Sequence, residues 1–333
     1  MSKHLKILSL VALGFVVCIK GDVVRAQNVK PVLVVLNKTE ANMAIIDPAT
    51  MKVTAKVPVG DGPHEVVLSA DGKTAFVANY GGTQGPGSSL SVIDIATAKE
   101  LRRIDLAPLL RPHGLQMIGG KLYFTAEVNR VIARYDPAAN KVDWIMGTGQ
   151  NVSHMIAGSA DQKKFYTANI GSNSITAFEF QSVPPSGSTI THIPVGAQPE
   201  AIDLSPDGKE VWTGLNVDGT IDIVDTATKK FKEKVAINGR PYRVRFTPDG
   251  KFVICTMIPT KDILILDAAT RKEVRRIKLE SVPLGVAFSN DGKTAFFSVG
   301  SPDAVIKVNL ETGAILGRVV TGVVPDGIAV AGV

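Results

Sequence analysis

The chain has 333 residues, 45% of them apolar and 20% charged, with a formal net charge of +6. That length and apolar share exclude a disordered chain and allow a large buried core. No Lys/Arg run of the nucleic-acid type appears, which disfavours a nucleic-acid-binding protein.

The first element is a leader. "MSKHLK" is basic, "ILSLVALGFVVCI" is apolar but short for a membrane span, and Val24 and Ala26 stand at cleavage spacing. A signal peptide over residues 1–26, cut after Ala26, is expected, with the rest secreted or periplasmic and without a membrane span. Cleavage removes Lys3, Lys6, Lys20, Arg25 and Asp22, so +6 falls to +3. It also removes Cys18. Cys255 alone remains, which rules out an internal disulfide and a cysteine-based metal motif.

After the leader come "PVLVVLN", "NMAIID" and "KVTAKVPVG", three short strands. A fuller unit follows. "HEVVLS" is a strand, "SADGK" (69–73) a glycine turn, and "KTAFVAN", "LSVIDIAT" and "KELRRIDL" are three further strands. The turn returns as "SPDGK" (205–209), "TPDGK" (247–251) and "SNDGK" (289–293), with degenerate copies "MIGGK" (117–121) and "SADQK" (159–163). Its lysines, 73, 121, 163, 209, 251 and 293, recur at a spacing of 42 to 48 residues. Four short strands per period, with no helical pattern, make one antiparallel sheet per repeat. Stacking such sheets radially buries both faces of each. First-strand starts fall at Pro63, Pro112, Ser153, Pro199, Pro241, Pro283 and Pro325. The seventh copy, "VVPDGIAVAGV", holds one strand and ends the chain. The N-terminus supplies the three that it lacks. The expectation is an all-β, seven-bladed β-propeller over residues 27–333, its last blade closed by both termini.

The segments "AFVAN" (75–79), "FYTAN" (165–169), "LSVID" (90–94), "IDIVD" (221–225) and "VGDGP" (59–63) resemble the YVTN-type propeller family, over about residues 30 to 333. "WTGL" (212–215) and "CTMI" (255–258) depart from the tetrapeptide. The resemblance implies a binding or scaffold protein. Similar propellers include lactone-opening hydrolases and lyases that work at the channel mouth with His and Glu side chains.

The residue after each start is His64, His113, His154, Glu200, Tyr242, Leu284 and Asp326. First strands line the channel of a propeller, so these seven form a ring at one mouth. Asp326, His64, His113, His154 and Glu200 fall on five adjacent blades. Imidazoles with carboxylates suit a transition metal ion, Zn, Cu, Fe or Ni. A histidine acting as general base beside Glu200 is the catalytic alternative. A polar mouth inherited from one ancestral repeat is the plain one. Asn79, Glu127 and Asn169, at second-strand ends, are either partners of the histidines or loop caps; Tyr242 joins them as a candidate ligand contact. The Gly-rich "NYGGTQGPGSSL" (79–90) is a candidate lid, "QSVPPSGST" (181–189) a surface loop on the opposite face, and Arg111 and Arg240 candidate contacts for an anion. Asp203 and Arg245, in one slot of blades 4 and 5, are expected to pair. P-loop, G-x-S-x-G, H-E-x-x-H and C-x-x-C-H patterns are absent. "NKT" (37–39) and "NVS" (151–153) fit glycosylation acceptors. The reading is a secreted or periplasmic monomer that binds a ligand or metal, a small molecule or a protein, at the histidine mouth. The alternative is a metal-dependent enzyme of lactone hydrolase or lyase type.

Overall fold

The computed structural model describes residues 29–182 and 187–333. The expected leader, 1–26, and part of the loop at 181–189 lie outside them. Among the described residues, no helix is long and apolar enough to cross a membrane.

Seven four-stranded antiparallel sheets make up the molecule. Blade 1 consists of Pro63–Leu68, Thr74–Gly82, Gly85–Asp94 and Lys99–Asp105. The inner strands of blades 2 to 7 are Pro112–Ile118, Ser153–Gly158, Pro199–Leu204, Pro241–Phe246, Val282–Phe288 and Pro325–Ala331. Pro325–Ala331 pairs with Val32–Asn37, so the last blade draws its inner strand from the C-terminus and the other three from the N-terminus.

Local chemistry sets the repeat. In each "DGK" turn the glycine takes a positive φ, +67° at Gly72 and +71° at Gly208. The preceding aspartate accepts the lysine N–H, as Asp71 does from Lys73 at 3.1 Å. Gln162 holds the glycine's place in "SADQK", at φ +61°. On the third strands of every blade but blade 3, where Ser174–Phe180 ends in phenylalanine, the terminal Asp or Asn caps the next turn. Asp94, Asp225 and Asn309 accept from Thr97, Thr228 and Thr312 at 2.7–2.8 Å.

Second and third strands read as continuous apolar runs because both faces of the sheet are covered. Phe252–Met257 and Asp262–Asp267 are buried almost throughout. Outer strands such as Lys141–Gly147 alternate between half-buried and exposed. Trp212, Tyr123 and Phe165 fill the seams between blades. Cys255 is a fully buried core thiol. Asn37 of the "NKT" triplet is also fully buried, bonded to Asn42 and Thr321, so the folded chain does not offer it to a glycan.

Asp203 and Arg245 do pair across blades 4 and 5, with Nε to Oδ2 at 3.3 Å. The arginine side chain is 46% exposed, however, and Asp203 also accepts the Phe246 and Leu204 N–H groups. The ion pair itself is therefore expected to contribute less than about 1 kcal/mol, and loss of the backbone acceptor roughly 1–3 kcal/mol. Urea titrations of Asp203→Ala, Arg245→Ala and the double variant check this: Asp203→Ala should be the costlier change. A coupling of about 3 kcal/mol or more would mark a buried pair instead.

Candidate functional site

Each inner strand starts at the same mouth, and its partner strand returns there. The pairs Pro63 with Asn79, Pro112 with Ala126, Ser153 with Asn169 and Pro199 with Leu215 fix the register. The residue one step further donates its N–H to the carbonyl just before the inner strand, as in Tyr80 to Gly62, Glu127 to Arg111, Asn216 to Gln198 and Lys38 to Val324. A second ring of Lys38, Tyr80, Glu127, Ile170, Asn216 and Ile258 thus lies beside the first. This register corrects the expected equivalence of Asn79, Glu127 and Asn169: Glu127 is one residue past the slot that the two asparagines fill.

That step separates their roles. Asn79 and Asn169 are buried caps. Asn79 accepts from Gly60 and donates to Ser89 and Ser91, while Asn169 bonds to Ser153, Ser174 and Thr176. Glu127 instead turns into the mouth. Its Oε1 contacts His154 Nδ1, and its Oε2 accepts from the Tyr80 hydroxyl at 2.6 Å.

His113, His154 and Glu127 each offer a ligand atom within 4.8 Å of the others. The two imidazoles lie 3.8 Å apart, centre to centre. His113 is 2% exposed, and its Nδ1 has no hydrogen-bond partner. Burial holds His113 well below the usual histidine range, and the neighbouring His154 and His64 push the same way, so it is neutral at pH 7. His64 stands 5.1 Å from His113, ring to ring, outside the trio. Burial lowers it to about 4, again keeping it neutral, and its Nδ1 bonds the Gly62 carbonyl at 2.9 Å. Donation from Nδ1 leaves the Nε2 lone pair available.

Tyr80 escaped the sequence reading, hidden in the Gly-rich segment. That segment is an extension of the blade 1 hairpin, with Gly81 paired to Pro86 and Gly82 to Gly85. It lays the Tyr80 ring 4.4 Å from His64 and 5.3 Å from His113. Arg111 donates to the Tyr80 hydroxyl at 2.9 Å and stacks over its ring, so this arginine is already engaged.

The remaining ring members lie apart from the trio. Glu200 Oε1 is 4.0 Å from His154 Nε2, and its other oxygen is held by Asn216. Burial raises its pKa. Asp326 belongs to a charge network. It pairs with Lys38 at 3.3 Å, accepts from Tyr242 at 3.2 Å and lies 3.6 Å from Arg243. Burial alone would raise Asp326, but Arg243 and Lys38 outweigh it and hold the carboxyl below its usual range. Arg243, 4% exposed, also grips Glu65 Oε1 at 2.5 Å across the channel. Gly285 and Gly327 occupy the intervening blades' equivalent positions. A Cβ on either would strike the next inner strand, 2.5 Å from the Asp326 carbonyl and 2.3 Å from that of His64. Neither Glu65 nor Arg243 carries a motif; a shared slot in first strands was the only available signal.

Three solved structures show the same architecture. Hydrazine synthase of Kuenenia stuttgartiensis matches with a TM-score of 0.67 and 21% identity, over 79% of this chain and 87% of that one. A functionally unknown protein from Desulfotomaculum acetoxidans matches at 0.76 and 13%, over 90% and 98%. Dihydro-heme d1 dehydrogenase NirN matches at 0.64 and 14%, over 90% and 75%. At these identities the likeness concerns the fold alone. No curated protein matches. The YNCE-like beta-propeller family model matches residues 22–184 and 173–332. With the seven-bladed ring that both halves build, this places the chain in the YNCE-like beta-propeller family.

Proposed function

We propose that the protein is a secreted or periplasmic propeller that binds a transition-metal ion at the histidine mouth of its channel. The observation that carries this is the trio of convergent ligand atoms offered by His113, His154 and Glu127, in which the buried His113 has an Nδ1 without a partner. A buried polar atom left without a partner is costly, and a cation would satisfy it. Two imidazoles and one carboxylate suit Zn, Cu, Fe or Ni, and three protein ligands leave a coordination position open. The Tyr80 hydroxyl holds the Glu127 oxygen that faces away from His154, as outer partners of metal-bound carboxylates do. Secretion rests on the leader pattern of residues 1–26. A metal-dependent hydrolase or lyase is the second reading, favoured by the burial-raised Glu200 carboxyl beside His154 Nε2.

Equilibrium dialysis against Zn, Cu, Ni and Fe at neutral pH, with metal counted by mass spectrometry, tests the reading. The wild type is expected to retain one ion per chain. His113→Ala/His154→Ala should retain none, and Tyr80→Phe should weaken binding about tenfold or more. Circular dichroism should report a folded propeller throughout, because mouth residues carry little of the core. Wild-type retention no higher than that of the double variant would end the metal reading.

A further inference from the structure

The channel's other end differs in character. Past the Glu65–Arg243 pair it narrows to a throat of about 70 Å³, lined also by Gln116, Asp203 and Arg245. The throat opens on the face opposite the histidines into a vestibule of about 480 Å³. This lies within the size range of small-ligand sites. The far ends of the inner strands of blades 1, 6 and 7 form its wall, with Val66, Leu68, Val286, Phe288, Ile328 and Val330. One charged side chain stands on that wall, Arg245. Its Nε is taken by Asp203, but its two Nη groups make no hydrogen bond or ion pair among the described residues. Asp203 is itself satisfied by two backbone N–H groups as well as by this Nε.

An apolar wall with one free guanidinium edge selects a particular chemistry. The paired Nη donors match the two oxygens of a carboxylate, and the wall matches a hydrocarbon tail. The gripped Glu65–Arg243 pair above the throat makes the site one-ended. We propose that this exit is a second binding site, separate from the histidine mouth, for a small apolar monocarboxylate. Its carboxylate sits on the Nη edge of Arg245 and its chain lies along Leu68, Phe288 and Val330.

Calorimetric titration of the full chain with decanoate, and with decanol as the uncharged control, tests this. Decanoate is expected to saturate at one per chain, and Arg245→Gln to weaken it roughly tenfold or more while leaving decanol unchanged. The half-exposed Arg245 can be replaced without emptying the core, so the variant should fold. The His113→Ala/His154→Ala variant should bind decanoate as the wild type does, which separates this site from the metal site. Absence of saturable decanoate binding, or equal decanoate affinity in the wild type and Arg245→Gln, would overturn the proposal.

Discussion

Deletion of residues 323–333 is expected to give an unfolded or aggregated protein. The deleted segment contains the whole inner strand of blade 7, which pairs with Val32–Asn37 from Val32 opposite Ala331 to Asn37 opposite Pro325. Without it, Val32–Asn37 becomes an unpaired edge of six buried residues, and such edges recruit other chains. Ser298 Oγ loses the Asp326 carbonyl that it bonds at 2.6 Å, and Arg243 and Lys38 lose a carboxylate. The soluble fraction on expression and the thermal melt report the outcome. An unchanged melting temperature would show that the ring does not depend on this strand. A circular permutant supplies the positive control. A Cβ on Gly332 would lie 2.4 Å from the Val29 carbonyl, so the described ends are adjacent and a short linker can join them. Such a permutant, opened in an exposed loop between two other blades, should melt near the wild-type temperature.

Arg243→Met is expected to cost about 3–5 kcal/mol, the usual penalty for removing one partner of a buried ion pair. Burial already raises Glu65, against the pull of Arg243, so its charge depends on that guanidinium. Asp326 keeps Lys38 and Tyr242 and is hurt less. Glu65→Met added to Arg243→Met should therefore recover much of the loss, since the stranded carboxylate goes with it. Denaturant titration of the two single variants and the double decides the matter. Additive losses would mean that the two side chains do not depend on each other.

The fold was legible because turn chemistry is local. An Asp-Gly needs no partner elsewhere in the chain to declare a hairpin, and Asp94 or Asp225 caps its own next turn. The first ring was legible for a related reason, since proline stands at or next to the start of six of the seven inner strands, Ser153 taking its place in blade 3. The second ring was not, because its register depends on how far each hairpin runs. Ala126, and not Glu127, lies opposite Pro112, and nothing in "LYFTAEVN" says so. Matching the final "AN" of two repeats to the "AE" of a third placed Glu127 one residue early. Tyr80 hid for the opposite reason: a stretch of glycines and serines reads as a loose loop, yet it extends a ladder. Arg243 and Glu65 stand 178 residues apart, and only closure of the ring brings them together.

The Arg243–Glu65 bridge also bears on how such a chain can change over time. Seven sheets with the same backbone invite exchange, since any unit fits geometrically in any position. Here the residues two past the starts Pro63, Pro112, Ser153, Pro199, Pro241, Pro283 and Pro325 are Glu65, Gly114, Met155, Ala201, Arg243, Gly285 and Gly327, and the bridge needs the two glycines between its ends. Swapping the blade 5 sequence for that of blade 4 would put alanine in place of Arg243 and strand Glu65. A side chain at Gly285 would collide with its neighbour's backbone. The units are therefore alike in shape but, in blades 1, 5, 6 and 7, addressed by chemistry, so exchanging a repeat there removes one end of the bridge or the clearance between its ends.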